Sequence, residues 1–411
     1  MPRTLVPLAW MTAVATEKVM SALQSRGAEA RFIGGCVRDA ILNRPIKDID
    51  IATTAVPEQV IELLAENEIK AIPTGLDHGT VTAVIDHQTF EITTLRRDIE
   101  TDGRHAVVKF TNNWQQDAER RDFTMNGLSA DTEGTIYDYV EGYDDVLTGT
   151  VQFIGDAATR IEEDTLRILR FYRFFAHYGV GKANEAARAA CQKAASSLPN
   201  LAGERVQKEI LSLLRAAAPQ DAIELMRVDE ILPHCLPEAE NFDRLKNLLA
   251  VEALLTQRWP LFIVPEAELR LSALLSSCPR KISAVAERFR FSKALHNRLR
   301  VLANTNRPAP DQNELNRRLY DVGQEVTRDG FLLNWAAHGV PFNHETLMGA
   351  TARWQQPRFP LTGQDVLATG TSAGPMVGDV LKTIEDWWVD QGFEPDRTRC
   401  LEKLRSVISR T

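Results

Sequence analysis

Between Gly34 and Asp50 the chain sets two glycines, an arginine and a pair of aspartates at spacings that suit phosphate and metal chemistry. Gly34 and Gly35 can take backbone angles that turn successive N–H groups toward one point, and such a nest leading into a helix start binds phosphate. Arg38 falls in the first turn of a helix expected from about Cys36 to Leu42, within reach of the same phosphates. Asp48 and Asp50 stand two apart on a strand expected to begin near Asp48, which sends both carboxylates to one face. Paired hard oxygen ligands beside a phosphate cradle suit Mg²⁺, which takes one or two carboxylates and completes its shell with substrate phosphates. Alone, a Gly-Gly turn is an ordinary turn and an Asp-x-Asp is a solvated strand edge. Joined in one β-α-β unit, they point to a metal–nucleotide site.

A second group lies on the stretch Arg160–Phe175, read as one helix. Helical spacing puts Asp164 and Arg167 on one face, with Arg170 and Arg173 continuing the row. Leu166, Ile168, Leu169, Phe171, Tyr172 and Phe174 are the intervening apolar residues and leave little of the helix to face water. One reading is an ion pair on a solvated stripe. The other is a rigid acceptor–donor pair facing a nucleobase. Cytosine offers an amino donor (N4) beside an acceptor (N3), and adenine offers N6 beside N1, so a carboxylate next to a guanidinium satisfies both. Uracil and guanine present the opposite polarity, and such a pair would select C and A over U and G.

These residues need a mixed α+β head and a helical remainder to position them. Residues 12–27 read as a helix closed by Gly27, and Pro57–Asn67 as a helix with proline near its first position. Ile69–Pro73, Thr80–Ile85 and Thr89–Thr94 are rich in β-branched residues and read as strands. Arg96–Arg104 is polar and turn-rich, expected as an exposed, mobile loop, and Arg120–Asn126 leads to a hairpin-like region at Tyr137–Tyr143. From Ala157 onward only helical periodicity remains, interrupted by prolines. The expected fold class is α+β, a mixed-sheet head followed by an all-α neck, body and tail. The expected domains are a head at 1–150, a neck at 151–235 that carries the base-facing helix, and a body and tail at 236–411.

Composition sets the outer limits. The 411 residues are 44% hydrophobic and 25% charged, ample for real cores in two or three domains. A net charge of −8 argues against a coat of basic residues for non-specific nucleic-acid binding. Against that balance, Arg280, Lys281, Arg288, Arg290, Lys293, Arg298 and Arg300 face a single acid, Glu287; the run is either a solvated helix face or a phosphate contact. The five cysteines are scattered with no Cys-x-x-Cys pair, which fits neither a zinc site nor a disulfide framework and suits a reducing cytoplasm. Leu5–Ala15 faintly resembles a signal peptide but runs into helical spacing at Glu17–Met20, so it is read as helix. No run reaches the roughly 18 apolar residues of a membrane span.

Four motifs, in order over about residues 31–215, resemble those of the class II tRNA nucleotidyltransferases, the family of CCA-adding enzymes and bacterial poly(A) polymerases. Gly34-Gly35-x-Val37-Arg38-Asp39 with Asp48-x-Asp50 resembles the catalytic motif of the polymerase-β-type nucleotidyltransferases. Arg120-Arg121-Asp122-Phe123-Thr124-x-Asn126 is similar to the ribose-reading motif, and Glu163-Asp164-x-x-Arg167 to the protein template. Glu204-Arg205-Val206-Gln207-Lys208-Glu209 resembles the last neck motif.

The resemblance implies template-independent addition of C, C and A to the 3′ end of tRNA from CTP and ATP, with release of pyrophosphate. It implies that Asp48 and Asp50 are catalytic and hold two Mg²⁺ ions that activate the RNA 3′-hydroxyl and neutralise the leaving pyrophosphate. Gly35 and Arg38 would hold the triphosphate. Arg121 and Asp122 would engage phosphate and ribose, with Asp122 accepting from the 2′-OH; the plainer reading of Arg121 is a salt bridge to Asp117 or Asp122. Asp164 and Arg167 would read the base, while Arg170 and Arg173 would stabilise phosphate charge or brace the template. Glu91 is either a third carboxylate or a solvated strand-edge residue. The implied partner is the acceptor and TΨC arm of tRNA, read largely by shape; no protein partner is implied.

Three rivals share parts of this pattern. Bacterial poly(A) polymerases share every motif but usually carry a long basic C-terminal extension, whereas the tail ending at Thr411 is not conspicuously basic. CC-adding enzymes lack the loop between the head strands, and here Arg96–Arg104 keeps its length. A catalytically inactive RNA-binding protein has no need to retain both Asp48 and Asp50. No His-Asp pair marks an appended phosphohydrolase.

Overall fold

In the computed structural model, which describes residues 3–101, 106–275, 277–305 and 311–409, the chain divides into two units, Met1–Pro237 and Glu238–Thr411. The first opens with α1 (Val14–Gln24), shorter than the 12–27 expected, which buries Val19, Met20 and Leu23 along one stripe. β1 (Ala30–Ile33), α2 (Gly35–Ile41) and β2 (Ile49–Thr53) form the glycine-turn unit. α3 (Pro57–Glu66) starts on a proline whose φ is already helical and buries Val60, Leu63 and Leu64. β3 (Lys70–Gly75), β4 (Thr80–Ile85) and β5 (Gln88–Thr94) follow as an antiparallel meander. On β4 and β5, Val81 and Ala83 pair with Ile92 and Phe90, all fully buried, while intervening residues are more exposed, the period-two pattern of a half-covered sheet.

Arg96–Arg104 departs from expectation. Arg96–Thr101 is a strand, β6, paired antiparallel with β7 (Ala106–Phe110) in a separate two-stranded ribbon. Val107, Val108 and Phe110 supply the β-forming partner that the charged first half lacks; positions 102–104 lie outside the described residues. α4 (Trp114–Glu119), capped by the Asn113 side chain, leads to the short hairpin of β8 (Ser129–Ala130) and β9 (Ile136–Tyr137). The expected Tyr137–Tyr143 hairpin therefore lies earlier, and α5 (Gly142–Thr148) begins in its place.

The main sheet runs β3-β4-β5-β2-β1-β8-β9. β2 pairs parallel with β5, and every other neighbour is antiparallel, so the sheet is mixed as expected. At its β9 edge Thr4 bridges Thr135, Leu5 N–H donates to Gly134 O at 2.8 Å and Ile136 N–H to Arg3 O at 2.8 Å. At the other edge β3 carries Pro73, which has no N–H to offer.

Beyond Ala157 the described residues contain no strand. α6 (Ala157–Glu163), α7 (Arg167–Tyr178), α8 (Glu185–Ala194), α9 (Gly203–Leu214), α10 (Pro219–Val228) and the single turn α11 (Leu232–Cys235) complete the first unit. Arg160–Phe175 is thus two helices rather than one: Asp164 has extended φ/ψ of −153° and 105°, and α7 starts afresh at Arg167. α7 buries Ile168, Leu169, Phe171, Tyr172 and Phe174 and keeps its arginines on the other side. Phe123 is fully buried, with ring centroids 4.9 Å from both Phe153 and Phe174. Removing that ring from water is worth about 1.5–3 kcal/mol, and it holds the chain beside Asp122 against α7.

The second unit is helical: α12 (Phe242–Thr256), α13 (Ala267–Leu274), α14 (Pro279–Arg288), α15 (Lys293–Thr305), α16 (Gln312–His338), α17 (His344–Ala352), α18 (Gly363–Leu367), α19 (Pro375–Asp390) and α20 (Arg397–Ile408). One core gathers Leu248, Leu302, Phe331 and Trp335; a second gathers Ile384, Trp388, Cys400 and Leu404. The basic run is partly neutralised within this unit: Lys281 pairs with Glu240, Arg288 with Glu238 at 2.5 Å and Arg298 with Asp329 at 2.6 Å. Arg280, Arg290, Lys293 and Arg300 are exposed. Among the described residues no helix is long and apolar enough to cross a membrane.

Candidate active site

The glycine turn ends β1 and starts α2. Gly34 has φ +65°, a conformation that favours glycine, and a Cβ there would stand 3.3 Å from the Arg121 guanidinium. Arg121 therefore lies directly over the turn. Four residues on, Arg38 is 7% exposed and held from several sides. Its Nη1 donates to Asn126 at 2.6 Å, its Nη2 to the Tyr178 hydroxyl at 2.6 Å, and its Nε to Asp39 at 3.0 Å. The head motif and α7 together fix this cation.

Asp50 lies on β2 in register with Glu91 of β5. Its carboxyl is pushed up to about 6, first by burial and then by the Glu91 charge, with Asp48 adding to the rise and Arg121 and Arg38 opposing it. β2 begins at Ile49, close to the start expected near Asp48, so Asp48 sits just ahead of the strand, exposed, and its charge acts on Asp50. Among the described residues no three His, Cys, Asp or Glu side chains form a metal-holding group. A hard divalent ion that fills its shell from phosphates and water needs only one or two carboxylates, and a carboxyl raised by burial and by acids crowded beside it is a donor a cation would relieve.

Asp122 is 8% exposed and both its oxygens are engaged. Oδ1 accepts from Asn126 and from the Phe123 N–H at 2.9 Å each, and Oδ2 accepts from Arg170 Nε at 2.7 Å. Burial alone would raise this carboxyl; Arg170, Asn126 and the N–H hold it below the usual carboxylate range. Arg173 turns away to Glu209 of α9, at 2.5 Å, and braces α7. Asp164 accepts from Arg205 of α9 at 2.7 Å and from the Leu166 N–H at 3.1 Å, while Arg167 pairs with Glu163. The expected Asp164–Arg167 pair on one helical face is therefore corrected. The two flank the break between α6 and α7, each held by a different partner, because the Asp164 backbone leaves the helix.

One cleft of about 470 Å³ gathers most of these groups: Gly34, Gly35, Arg38, Asp50, Arg121, Asp122, Asp164, Arg167 and Arg170. Arg120, Asn126, Leu166, Phe174 and Arg205 complete its wall, and Asp48 and Arg173 are not among the lining residues. Six arginines (38, 120, 121, 167, 170, 205) face three aspartates (50, 122, 164), an excess of positive charge that suits a triphosphate. Sequence reasoning missed Arg120 and Arg205 as parts of the wall. Arg205 sits inside the quoted neck motif, but only the fold of α9 against the α6–α7 break brings it to Asp164.

Comparison with known proteins points the same way. The Poly A polymerase head domain model matches residues 30–152, and the model described as a probable RNA and SrmB- binding site of polymerase A matches residues 184–243. The chain is 30% identical over 385 residues to the mitochondrial CCA tRNA nucleotidyltransferase 1 of Danio rerio, spanning 93% of this chain and 88% of that protein. It is 30% identical over 404 residues to the CCA-adding enzyme of Limosilactobacillus fermentum, spanning 95% of this chain and 96% of the relative. Among solved structures it resembles the Bacillus stearothermophilus CCA-adding enzyme in complex with CTP, with TM-score 0.77, 27% identity and coverage of 95% and 96% of the two chains.

Proposed function

The chain belongs to the CCA tRNA nucleotidyltransferase family, and on that premise we infer that it adds C, C and A to the 3′ end of tRNA without a nucleic-acid template, using CTP and ATP and releasing pyrophosphate. The observation that carries this reading is the single cleft in which Asp50, the arginines over the glycine turn and the Asp164–Arg167 segment meet. Enzymes of this family use divalent metal; for this chain the ions are taken as two Mg²⁺, held by Asp48 and Asp50. Bound there, they would lower the pKa of the RNA 3′-hydroxyl and offset charge on the leaving pyrophosphate.

The chain's own residues do the positioning. Arg38 and Arg121, beside the Gly35 turn, hold the triphosphate, and Arg170 adds charge from the neck side. Asp122 fixes Arg170 and is taken as the acceptor for the ribose 2′-OH. Asp164 accepts from the exocyclic amino group of C or A, and Arg167 donates to the neighbouring ring nitrogen. Arg173, braced on Glu209, keeps α7 in place. Residues 1–150 then serve as head, 151–235 as neck and 236–411 as body and tail that grip the acceptor and TΨC arm. Scattered thiols suit a reducing compartment, here taken as the cytoplasm.

One assay tests the reading against poly(A) and partial addition. Purified protein is given tRNA ending at the discriminator base with each NTP alone or mixed, and products are sized on a gel. Growth by three nucleotides requiring both CTP and ATP supports it. Long adenylate tracts from ATP alone, or arrest after two cytidines, would replace it with one of the rivals.

A further inference from the structure

The carboxylate of Asp117, on α4, is 4% exposed and serves three donors arriving from two directions. Oδ2 accepts from Nη2 of Arg121 at 3.0 Å, while Oδ1 accepts from Nε of Arg120 at 2.8 Å and from the backbone N–H of Arg96 at 3.2 Å. Arg96 is the first residue of β6 and stands opposite Phe110, the last of β7, so the third donor is the root of the β6–β7 ribbon. The first donor lies over Gly34 in the cleft that also holds Asp50, and its charge already acts on the Asp50 carboxyl. An arginine between two carboxylates rests where the stronger set of bonds holds it. Charge-assisted bonds to a buried acid are the stronger kind, and Asp117 is the more buried of the two.

We propose that Asp117 is a positioning residue for nucleotide binding: it draws Arg121 back from Asp50, aims the remaining N–H groups of that guanidinium at the triphosphate, and ties their position to the seating of the β6–β7 ribbon through the Arg96 N–H. This rests on the assignment of Arg121 to the triphosphate under the proposed function. The ribbon thereby gains a direct mechanical link to the nucleotide site. A shift at its root changes the bonds of the same carboxylate that holds the arginine.

The test is a mutant cycle read in KM and kcat separately. Asp117→Asn keeps the shape and one acceptor but removes the charge; it should raise the KM for CTP and for ATP about tenfold, with kcat within about twofold and tRNA affinity unchanged. Arg121→Ala should raise the same KM at least as much. Because Asp117 acts through that arginine, the double variant should be no worse than Arg121→Ala alone. An unmoved KM in Arg121→Ala overturns the assignment of Arg121 itself. A raised KM there with no effect of Asp117→Asn, or two effects that multiply, overturns the positioning role. So does a fall in kcat that tracks a lowered thermal midpoint while KM stays put, the signature of an acid that serves folding only. For the ribbon, Asp117→Ala should speed amide hydrogen exchange at Arg96 by about tenfold or more while Arg121→Ala leaves it unchanged; equal exchange in both overturns the link.

Discussion

Asp164 gives one carboxylate oxygen to Arg205 at 2.7 Å, and Arg167, three residues along, is held by Glu163 instead. The acceptor and the donor expected to read a base are thus positioned by separate neighbours, and each can be varied without collapsing the other.

Asp164→Ala should weaken selection for C and A together. A well-placed bidentate base contact is worth roughly 1–3 kcal/mol of discrimination, so UTP misincorporation should rise about tenfold or more. Asp164→Asn, whose amide both donates and accepts, should admit UTP and GTP while keeping some use of CTP. Circular dichroism should show no loss of helix, since Asp164 lies at the break between α6 and α7 and not within either. Unchanged selectivity in both variants would move base reading elsewhere.

Asp48→Ala and Asp50→Ala should each abolish addition and leave tRNA affinity nearly unchanged, because Lys and Arg bonds to phosphate dominate RNA binding. Near-normal turnover in saturating Mg²⁺ would remove the metal assignment.

The raised Asp50 carboxyl has a pH signature of definite sign. A carboxyl near 6 in the folded protein, against an ordinary 3.8 in the unfolded chain, binds its proton more tightly when folded. Its stabilising contribution is therefore full below about pH 4 and is lost as pH rises through about 6. With chelator present, the thermal midpoint of the parent should fall relative to Asp50→Asn across that window. Mg²⁺ affinity should run the other way, weakening about tenfold per pH unit below about 6 as the proton competes for the same oxygen. Parallel midpoints for parent and variant would show that Asp50 titrates normally.

Asp122→Ala should narrow the preference for CTP over dCTP by roughly 2- to 10-fold, the worth of one hydrogen bond. It should also lower the thermal midpoint, because Arg170 loses its closest acid. If the sugar preference holds while rate falls, Asp122 acts only by anchoring Arg170.

Charge reversal at Arg290 and Lys293, both exposed, should weaken tRNA binding and reduce the salt slope by about one for each phosphate no longer neutralised. Arg288 is the wrong probe, since reversal there would also break its pair with Glu238. An unchanged slope would return the stretch to an ordinary solvated face.

Local signals were enough for much of the cleft. The Gly34 turn, Arg38 and Asp50 lie within one short unit whose spacing determines their geometry, and Arg121 and Asp122 are placed by Phe123, an evident core residue. What escaped the sequence depended on tertiary partners. The Asp164–Arg167 spacing fits a continuous helix, yet the Asp164 side chain bonds the Leu166 N–H two residues on and ends the run, a choice periodicity does not record. β6 is charged along its length and becomes a strand only because Ala106–Phe110 returns beside it. Arg205 is one arginine on an amphipathic helix until α9 meets the α6–α7 break.

The two margins of the head sheet also bear on how the protein behaves in a crowded solution. An open strand margin is a template for joining another molecule strand to strand, the first step toward insoluble assemblies. Here one margin is occupied by Arg3–Leu5 of the same chain, and the other carries Pro73, with Lys70 exposed beside it. The few residues before the first helix thus act as a built-in cover, and a head produced without them would present β9 to its neighbours.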